Sequence, residues 1–206
     1  MVTQQTISRN DLLKLDKIKR INLVNSLSGF KSANLIGTTS NMSKENLAIF
    51  SSVIHVGSDP PLLGFLVRPN KPKRHTYTNI KQTGFFTINH VCKRIFNDAH
   101  HTSAKYPEDI SEFEKTNLTP EYKKSFIAPF VKESSIKIGL SFKEESKIKS
   151  NNTIFVVGQI EFIILNKKLD TDGFIDLTKN NTAAINGLSG YSFPKNIERK
   201  PYQRPK

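Results

Sequence analysis

The sequence predicts a mainly β protein with helical insertions, built as a small antiparallel barrel. Three observations carry that reading. Six strand-like stretches follow one another almost in sequence, with one helical insert between them. No helix of ten to fifteen residues regularly separates consecutive strands, as a parallel βαβ array requires. Neither G-x-G-x-x-G nor G-x-x-x-x-G-K-[ST] occurs, so the phosphate loops of nucleotide-binding parallel sheets are missing.

The elements follow in order. Residues 1–30 form a helical arm: Ser8-Arg9-Asn10-Asp11 has the capping-box form, and Leu12, Leu15 and Ile18 follow it. One short helix ending before Asn22, packed on the main domain, is expected. The barrel domain spans 31–180. A-N-L-I-G-T-T from Ala33 reads as a strand, N-M-S-K-E as a turn, and N-L-A-I-F-S-S-V-I-H-V-G as one long strand. Asp59-Pro60-Pro61 ends it, since proline cannot donate to a ladder. Leu62 to Val67 is apolar on both faces and so expected to be buried on both.

Thr76 to Thr83 predicts a helix of one to two turns, with Thr76 as N-cap and Gly84 as stop. F-F-T-I-N-H-V resumes the strand pattern. Residues 93–130 lack a two-residue period and are punctuated by Pro107, Pro120 and Pro129, which predicts a helical excursion. Ile136, Ile138, Leu140 and Phe142 alternate with Lys137, Gly139, Ser141 and Lys143, a half-exposed strand. Thr153 to Leu165 is the longest strand candidate. The 181–206 tail, ending in E-R-K-P-Y-Q-R-P-K, reads as extended.

A chain of 206 residues is expected to form one domain around one core. With 31 basic and 18 acidic residues, the formal charge is +13. Such a surface attracts polyanions, so acidic membranes, RNA and phosphorylated small molecules are all open partners. Cys92 stands alone, which excludes an intrachain disulfide and a cysteine-pair zinc site and fits a reduced, cytoplasmic setting. The first residues have neither a basic nor an apolar signal region, and no apolar run reaches the roughly 20 residues of a membrane helix.

Three groups of residues could carry chemistry. His90, Cys92, Asp98, His100 and His101 match no zinc spacing, and no metal is expected. T-T-S at 38–40 and N-L-A-I-F-S-S at 46–52 flank a tight turn with hydroxyl and amide groups. These either bind an oxygen-rich ligand or simply occupy hairpin ends. In R-P-N-K-P-K-R-H-T-Y-T-N-I, four cations (Arg68, Lys71, Lys73 and Arg74) precede a helix start. A helix N-terminus beside a guanidinium suits an anion, and a solvated basic loop is the alternative.

Taken together, S-A-N-L-I-G-T-T-S, N-L-A-I-F-S-S-V-I-H-V-G-S-D-P-P-L-L-G-F-L-V-R-P, R-H-T-Y-T-N-I and G-F-F-T-I-N-H-V resemble the flavin reductase-like, FMN-binding split-barrel family. The later S-E-F at 111–113 and A-P-F-V-K-E-S at 128–134 resemble its flavoredoxin-type branch. The resemblance implies a six-stranded Greek-key split barrel, a homodimer, and FMN held noncovalently near the dimer interface. Carried onto this sequence, Thr38, Thr39 and Ser40 line the flavin, and Asn46, Leu47 and Ala48 contact the ring edge. Ser51, Ser52, Arg74, His75 and Thr76 surround the phosphate, joined by Arg68. Asn79 matches the motif but is left as a helix-capping residue.

Met42, Ser43 and Lys44 stand where relatives often place a glycine. G-L-S-G-Y at 187–191 matches only loosely, leaving Tyr191 either over the flavin or on a partner. The implied activity is hydride transfer from NADH or NADPH to flavin, with an unknown electron acceptor and no catalytic side chain. An FMN-binding electron carrier is the alternative. A nucleic-acid-binding barrel is disfavoured because Tyr and Phe sit in apolar strand runs rather than on a stacking platform. Neither a membrane nor a specific nucleic acid is an expected partner.

Overall fold

The structure is a computed structural model that describes residues 4–70, 72–123, 125–166 and 169–205. The N-terminal arm holds two helices, α1 (Arg9–Lys14) and α2 (Lys17–Ser26), rather than one. The Ser8–Asp11 capping box forms as expected. Leu15 then turns extended, and Asp16 starts a new helix by accepting the amides of Ile18 and Lys19, both at 3.0 Å. Neither helix buries a residue, and Leu13, Ile18, Val24 and Leu27 stay exposed. The arm therefore lies on the surface, with Leu12, Leu15, Ile21 and Leu23 partly covered.

The strands that follow are β1 (Lys31–Ser32), β2 (Asn34–Thr39), β3 (Glu45–Phe50), β4 (Ile54–Ser58) and β5 (Pro61–Val67). Helix α3 (His75–Thr83) and strand β6 (Phe85–His90) come next, then α4 (Phe96–His101). The remaining strands are β7 (Pro120–Lys123), β8 (Phe126–Val131), β9 (Ile136–Ile148), β10 (Thr153–Leu165), β11 (Ala184–Asn186) and β12 (Gly190–Ser192). The main sheet has seven strands in the order β3-β2-β6-β9-β10-β5-β4, all antiparallel.

Strands β3 and β4 occupy opposite edges of that sheet, yet only residues 51–53 separate them in the chain. So short a link reaches at most about 14 Å. The sheet must curl until its two edges meet, and that curl makes the barrel. The single long strand expected over 46–57 is thus two strands on opposite edges. Ser52 permits the break: its Oγ accepts the Leu66 amide at 3.1 Å and donates to the Leu66 carbonyl at 3.2 Å. The side chain continues the β4–β5 ladder where the backbone has turned away.

Inside the barrel, Ile36, Phe65, Ile80, Phe86, Ile88, Leu140 and Val156 form the core. Phe65 meets Phe50 and Phe86 edge-on, with centroids 5.1 and 5.5 Å apart. The helical excursion expected over 93–130 is only partly helical. It contains α4 and a short 3-10 turn at Glu112–Lys115, but Pro120–Lys123 and Phe126–Val131 pair as the antiparallel strands β7 and β8. That hairpin covers the outer face of β6: Thr87 Oγ1 donates to the Pro129 carbonyl at 2.6 Å, and Asn89 Oδ1 accepts the Val131 amide at 3.0 Å. Gly37 is required beneath it, because a Cβ there would stand 2.2 Å from the Pro129 oxygen.

This cover also overturns the half-exposed pattern expected for β9, whose first five residues are all buried. Lys137 is among them, its ammonium paired with Glu121 and bonded to the Lys132 carbonyl at 3.1 Å. The tail is extended, and part of it is ordered as sheet: β11 and β12 join β1 in a small three-stranded sheet. Among the described residues, no helix is long and apolar enough to cross a membrane.

Candidate functional site

Thr38 on β2 lies opposite Asn46 on β3, so both polar side chains share one face at one end of the barrel. Helix α3 packs across that end and brings Thr76 and Asn79 to them. Asn46 Nδ2 donates to Thr38 Oγ1 at 3.2 Å and to Thr76 Oγ1 at 3.1 Å. Asn79 Nδ2 donates to the same Thr38 oxygen at 3.2 Å. All four residues are at most 8% exposed, and buried amides of this kind are held where their partners are. Asn79 is thus part of the site rather than a cap. Its spacing of three from Thr76, which puts both on one helix face, was the signal for it.

Thr76 is not the N-cap. Arg74 occupies that position, its amide donating to Asn70 Oδ1 at 2.5 Å, and no side chain caps the helix. The amides of His75, Thr76 and Tyr77 therefore open the first turn without intrahelical acceptors. Arg74 Nε reaches the Pro69 carbonyl at 3.4 Å, and among the described residues no carboxylate pairs with the guanidinium. Lys73 differs, being paired with Glu108 at 2.6 Å. The hydrogen bond from Lys73, with the nearby charges of Lys73 and His75, holds the Glu108 carboxyl below its usual range. Lys71 lies outside the described residues. Arg68 is exposed, two positions beyond the Leu66 that Ser52 engages.

The ring-edge residues divide. Leu47 is in the core, and its amide donates to Glu112 Oε2 at 2.8 Å, so that backbone group is already committed. Antiparallel partners alternate in direction, so the outward Leu47 turns the amides of Asn46 and Ala48 toward β2. The amides of 46–48 are therefore already engaged, and the Asn46 side chain stands in the buried network. Ser40 closes the hairpin turn: its Oγ accepts the Lys44 amide at 3.1 Å, and Thr39 Oγ1 bonds the Lys44 carbonyl at 3.3 Å. Ser51 is half-buried at the far end of β3. From Asn46 to Phe50 the strand rises roughly 13 Å. The structure thus gathers Thr38, Asn46, Thr76 and Asn79 in one network; Ser52 lies further along with Leu66, three positions before the Pro69 whose carbonyl Arg74 reaches.

Glu112, read only as part of a resemblance, proves to be a buried carboxyl on the outer edge of β3. Burial pushes its pKa up, against the lowering effect of the Leu47 amide. Lys44 and Glu114, 2.7 Å apart, fasten the same 3-10 turn to the hairpin. Tyr191 packs on its own chain, its ring tilted against Phe96 and its hydroxyl 3.0 Å from His100 Nδ1. Among the described residues, no three His, Cys, Asp or Glu side chains gather as metal ligands. A cavity of about 530 Å³ lies elsewhere, between the 92–94 segment and residues 179–181, beside a recess of about 40 Å³ against Ile136, Leu165 and Phe174, and none of the expected site residues lines either.

The sequence family described as Flavin reductase like domain matches residues 27–180. An Aquifex aeolicus protein without a described role is 30% identical over 145 residues, covering 66% of this chain and 74% of its own. A split barrel domain protein from Shewanella frigidimarina superposes with a TM-score of 0.93 at 47% identity, over 97% of this chain and 100% of that one. Flavoredoxin of Desulfovibrio vulgaris shares the fold at 22% identity and a TM-score of 0.73, over 84% of this chain and 92% of its own. The split barrel, the uncapped start of α3 and the buried carboxamide network of this chain all fall within the matched residues. The chain belongs to the flavin reductase like family, a split barrel whose chemistry is that of a flavin-linked oxidoreductase.

Proposed function

We propose that this protein is an FMN-dependent oxidoreductase of the flavin reductase type, accepting hydride from NADH or NADPH and passing electrons to a second acceptor. The observation that carries this reading is the first turn of α3. Its amides are uncapped, Arg74 beside them has no carboxylate partner among the described residues, and Thr76 is locked in place by Asn46. An FMN phosphate carries a charge of about −1.5 to −2 at neutral pH, by analogy with phosphorylated side chains. Such a group suits helix amides next to a guanidinium. Arg74, His75 and Thr76 are assigned to it, with Ser51 and Arg68 as outer contacts.

Thr38 and Asn46 hold α3 at the distance the site needs, and Thr39 and Ser40 shape the hairpin rim along which the ring would lie. Bound noncovalently, FMN supplies the redox chemistry, taking up hydride from the nicotinamide. The protein's own task is to bind, orient and exclude water, so no general base is required. A homodimer fits the apolar groups left exposed on the arm (Leu13, Ile18, Val24, Leu27 and Phe30) and on neighbouring strands (Ile54 and Leu66). The lone buried thiol of Cys92 fits the cytoplasm.

The experiment is to denature the purified protein, identify any released flavin, and mix the flavin-loaded protein rapidly with NADH and NADPH. Fast loss of flavin colour with either supports the proposal. Protein that neither carries nor takes up FMN overturns it. Protein that holds FMN but ignores both nicotinamides is an electron carrier instead.

A further inference from the structure

We propose that the cleft between residues 92–94 and the turn at 179–181 binds a small-molecule oxyanion, a phosphate or carboxylate compound, at a site separate from the flavin. This inference does not rest on the flavin reading. The cleft encloses about 530 Å³, within the range of small-molecule sites. One wall carries Lys93 and Arg94, and the facing turn carries Lys179, Asn180 and Asn181. Ser135 and Asn166 complete the floor.

Both walls are fixed by backbone bonds. The Lys93 amide donates to the Asn181 carbonyl at 3.0 Å, and the Ala183 amide donates to the Val91 carbonyl at 2.8 Å. On the floor, the Asn166 amide donates to the Ser135 carbonyl at 3.1 Å. Asn181 is held at a φ of 49° by its own amide, which reaches the Leu177 and Thr178 carbonyls. A residue in that left-handed conformation marks a turn over-determined by its surroundings.

The charge is equally fixed. Arg94 Nη2 donates to the Glu133 carbonyl at 2.8 Å, while the Glu133 carboxylate turns away to accept the Thr119 amide at 3.0 Å. A neutral carbonyl orients the guanidinium without cancelling its charge. Lys93 and Arg94 have no carboxylate partner among the described residues. Asp176 caps its own turn by accepting the Thr178 amide at 2.9 Å and hydroxyl at 2.6 Å, and its other oxygen lies 3.9 Å from the Lys179 ammonium, so the cleft's positive charge rests on Lys93 and Arg94. A cleft lined by one sign of charge concentrates counter-ions, and its carboxamides and hydroxyl both donate and accept. That combination suits a hydroxylated or amide-bearing anion. The adjoining recess against Ile136, Leu165 and Phe174 is only about 40 Å³, too small to take an apolar body.

Pyrophosphate and citrate serve as probes, titrated calorimetrically into the full-length protein at low salt. Lys93→Gln/Arg94→Gln is compared with Lys143→Gln/Lys147→Gln, which removes the same charge from an exposed stretch of β9, and with Arg74→Ala. The expected result is saturable one-to-one binding that weakens at least tenfold in Lys93→Gln/Arg94→Gln and stays within twofold in the other two. Tighter pyrophosphate assigns a phosphate compound, and tighter citrate a carboxylate one; either supports the site. Three results overturn it: no saturable binding, equal weakening in Lys143→Gln/Lys147→Gln, or weakening confined to Arg74→Ala. The last would place the anion at α3.

Discussion

Asn46 and Thr76, thirty positions apart in sequence, are joined by a buried hydrogen bond of 3.1 Å from Nδ2 to Oγ1. The same amide group donates to Thr38, so one side chain ties two strands to the first turn of a helix. A helix start fixed this way presents its amides at a set height above the barrel end, which is what an anion site requires.

Thr38→Val tests it most sharply, because Thr38 Oγ1 is the acceptor shared by Asn46 and Asn79. The substitution keeps the shape and strands two buried amides, each costing about 1–3 kcal/mol. Urea unfolding should report a loss in that range or above. A variant as stable as the parent would mean that the carboxamides find other partners.

Arg74→Ala should raise the FMN dissociation constant at least tenfold, since a hydrogen bond to a charged group contributes about 1.5–3 kcal/mol. Lys73→Ala should change it less than threefold, because the Lys73 ammonium is already held by Glu108 at 2.6 Å. Fluorescence titration of FMN distinguishes the two. Equal effects would reduce the site to general positive charge.

Ser52→Ala should cost about 1–2 kcal/mol of stability, the value of losing its two backbone bonds to Leu66. FMN affinity should stay within twofold, in contrast to Ser51→Ala, which should weaken it. A large loss of FMN binding in Ser52→Ala would return that hydroxyl to the phosphate.

The strands were legible where side-chain pattern alone decides them, as in β2, β5, β6 and β10. They were not legible where a distant segment decides. The N-L-A-I-F-S-S-V-I-H-V-G run has an unbroken strand composition, and only the Ser52–Leu66 bonds reveal its turn between the two sheet edges. Lys137 reads as exposed because its burial depends on Glu121, brought over it by the β7–β8 hairpin. The candidate site shows the same division. Arg74, His75 and Thr76 are contiguous and visible, whereas the commitment of the Leu47 amide to Glu112, 65 positions away, is tertiary.

Glu112 should make the protein more stable toward acid than its carboxyl count suggests. Its pKa is raised in the folded state from 4.5, so folding favours the protonated form. That contribution is fully present below the unfolded pKa and is lost as pH rises through the folded one. Glu112→Gln keeps an oxygen for the Leu47 amide and cannot ionise. It should match the parent near pH 4 and exceed it in stability at neutral pH, as read from urea midpoints. A variant weaker than the parent at pH 7 would show that the charge itself holds the 3-10 turn to β3.

His90 acts in the opposite direction. Its Nδ1 is buried without a hydrogen-bond partner among the described residues, and burial depresses its pKa from 6.5 to about 4. Between those values the unfolded chain binds a proton that the folded chain refuses, so stability falls as pH drops from 6.5 toward 4. The full difference is on the order of 3 kcal/mol. His90→Leu removes the titrating ring and fills its place with apolar atoms. The gap in unfolding free energy between variant and parent should therefore widen in the variant's favour from pH 7 to about pH 4.5. Comparing the two at both pH values cancels the contribution of every other carboxyl and histidine. A constant gap would show that the ring is protonated in the folded protein and that Nδ1 has found a partner.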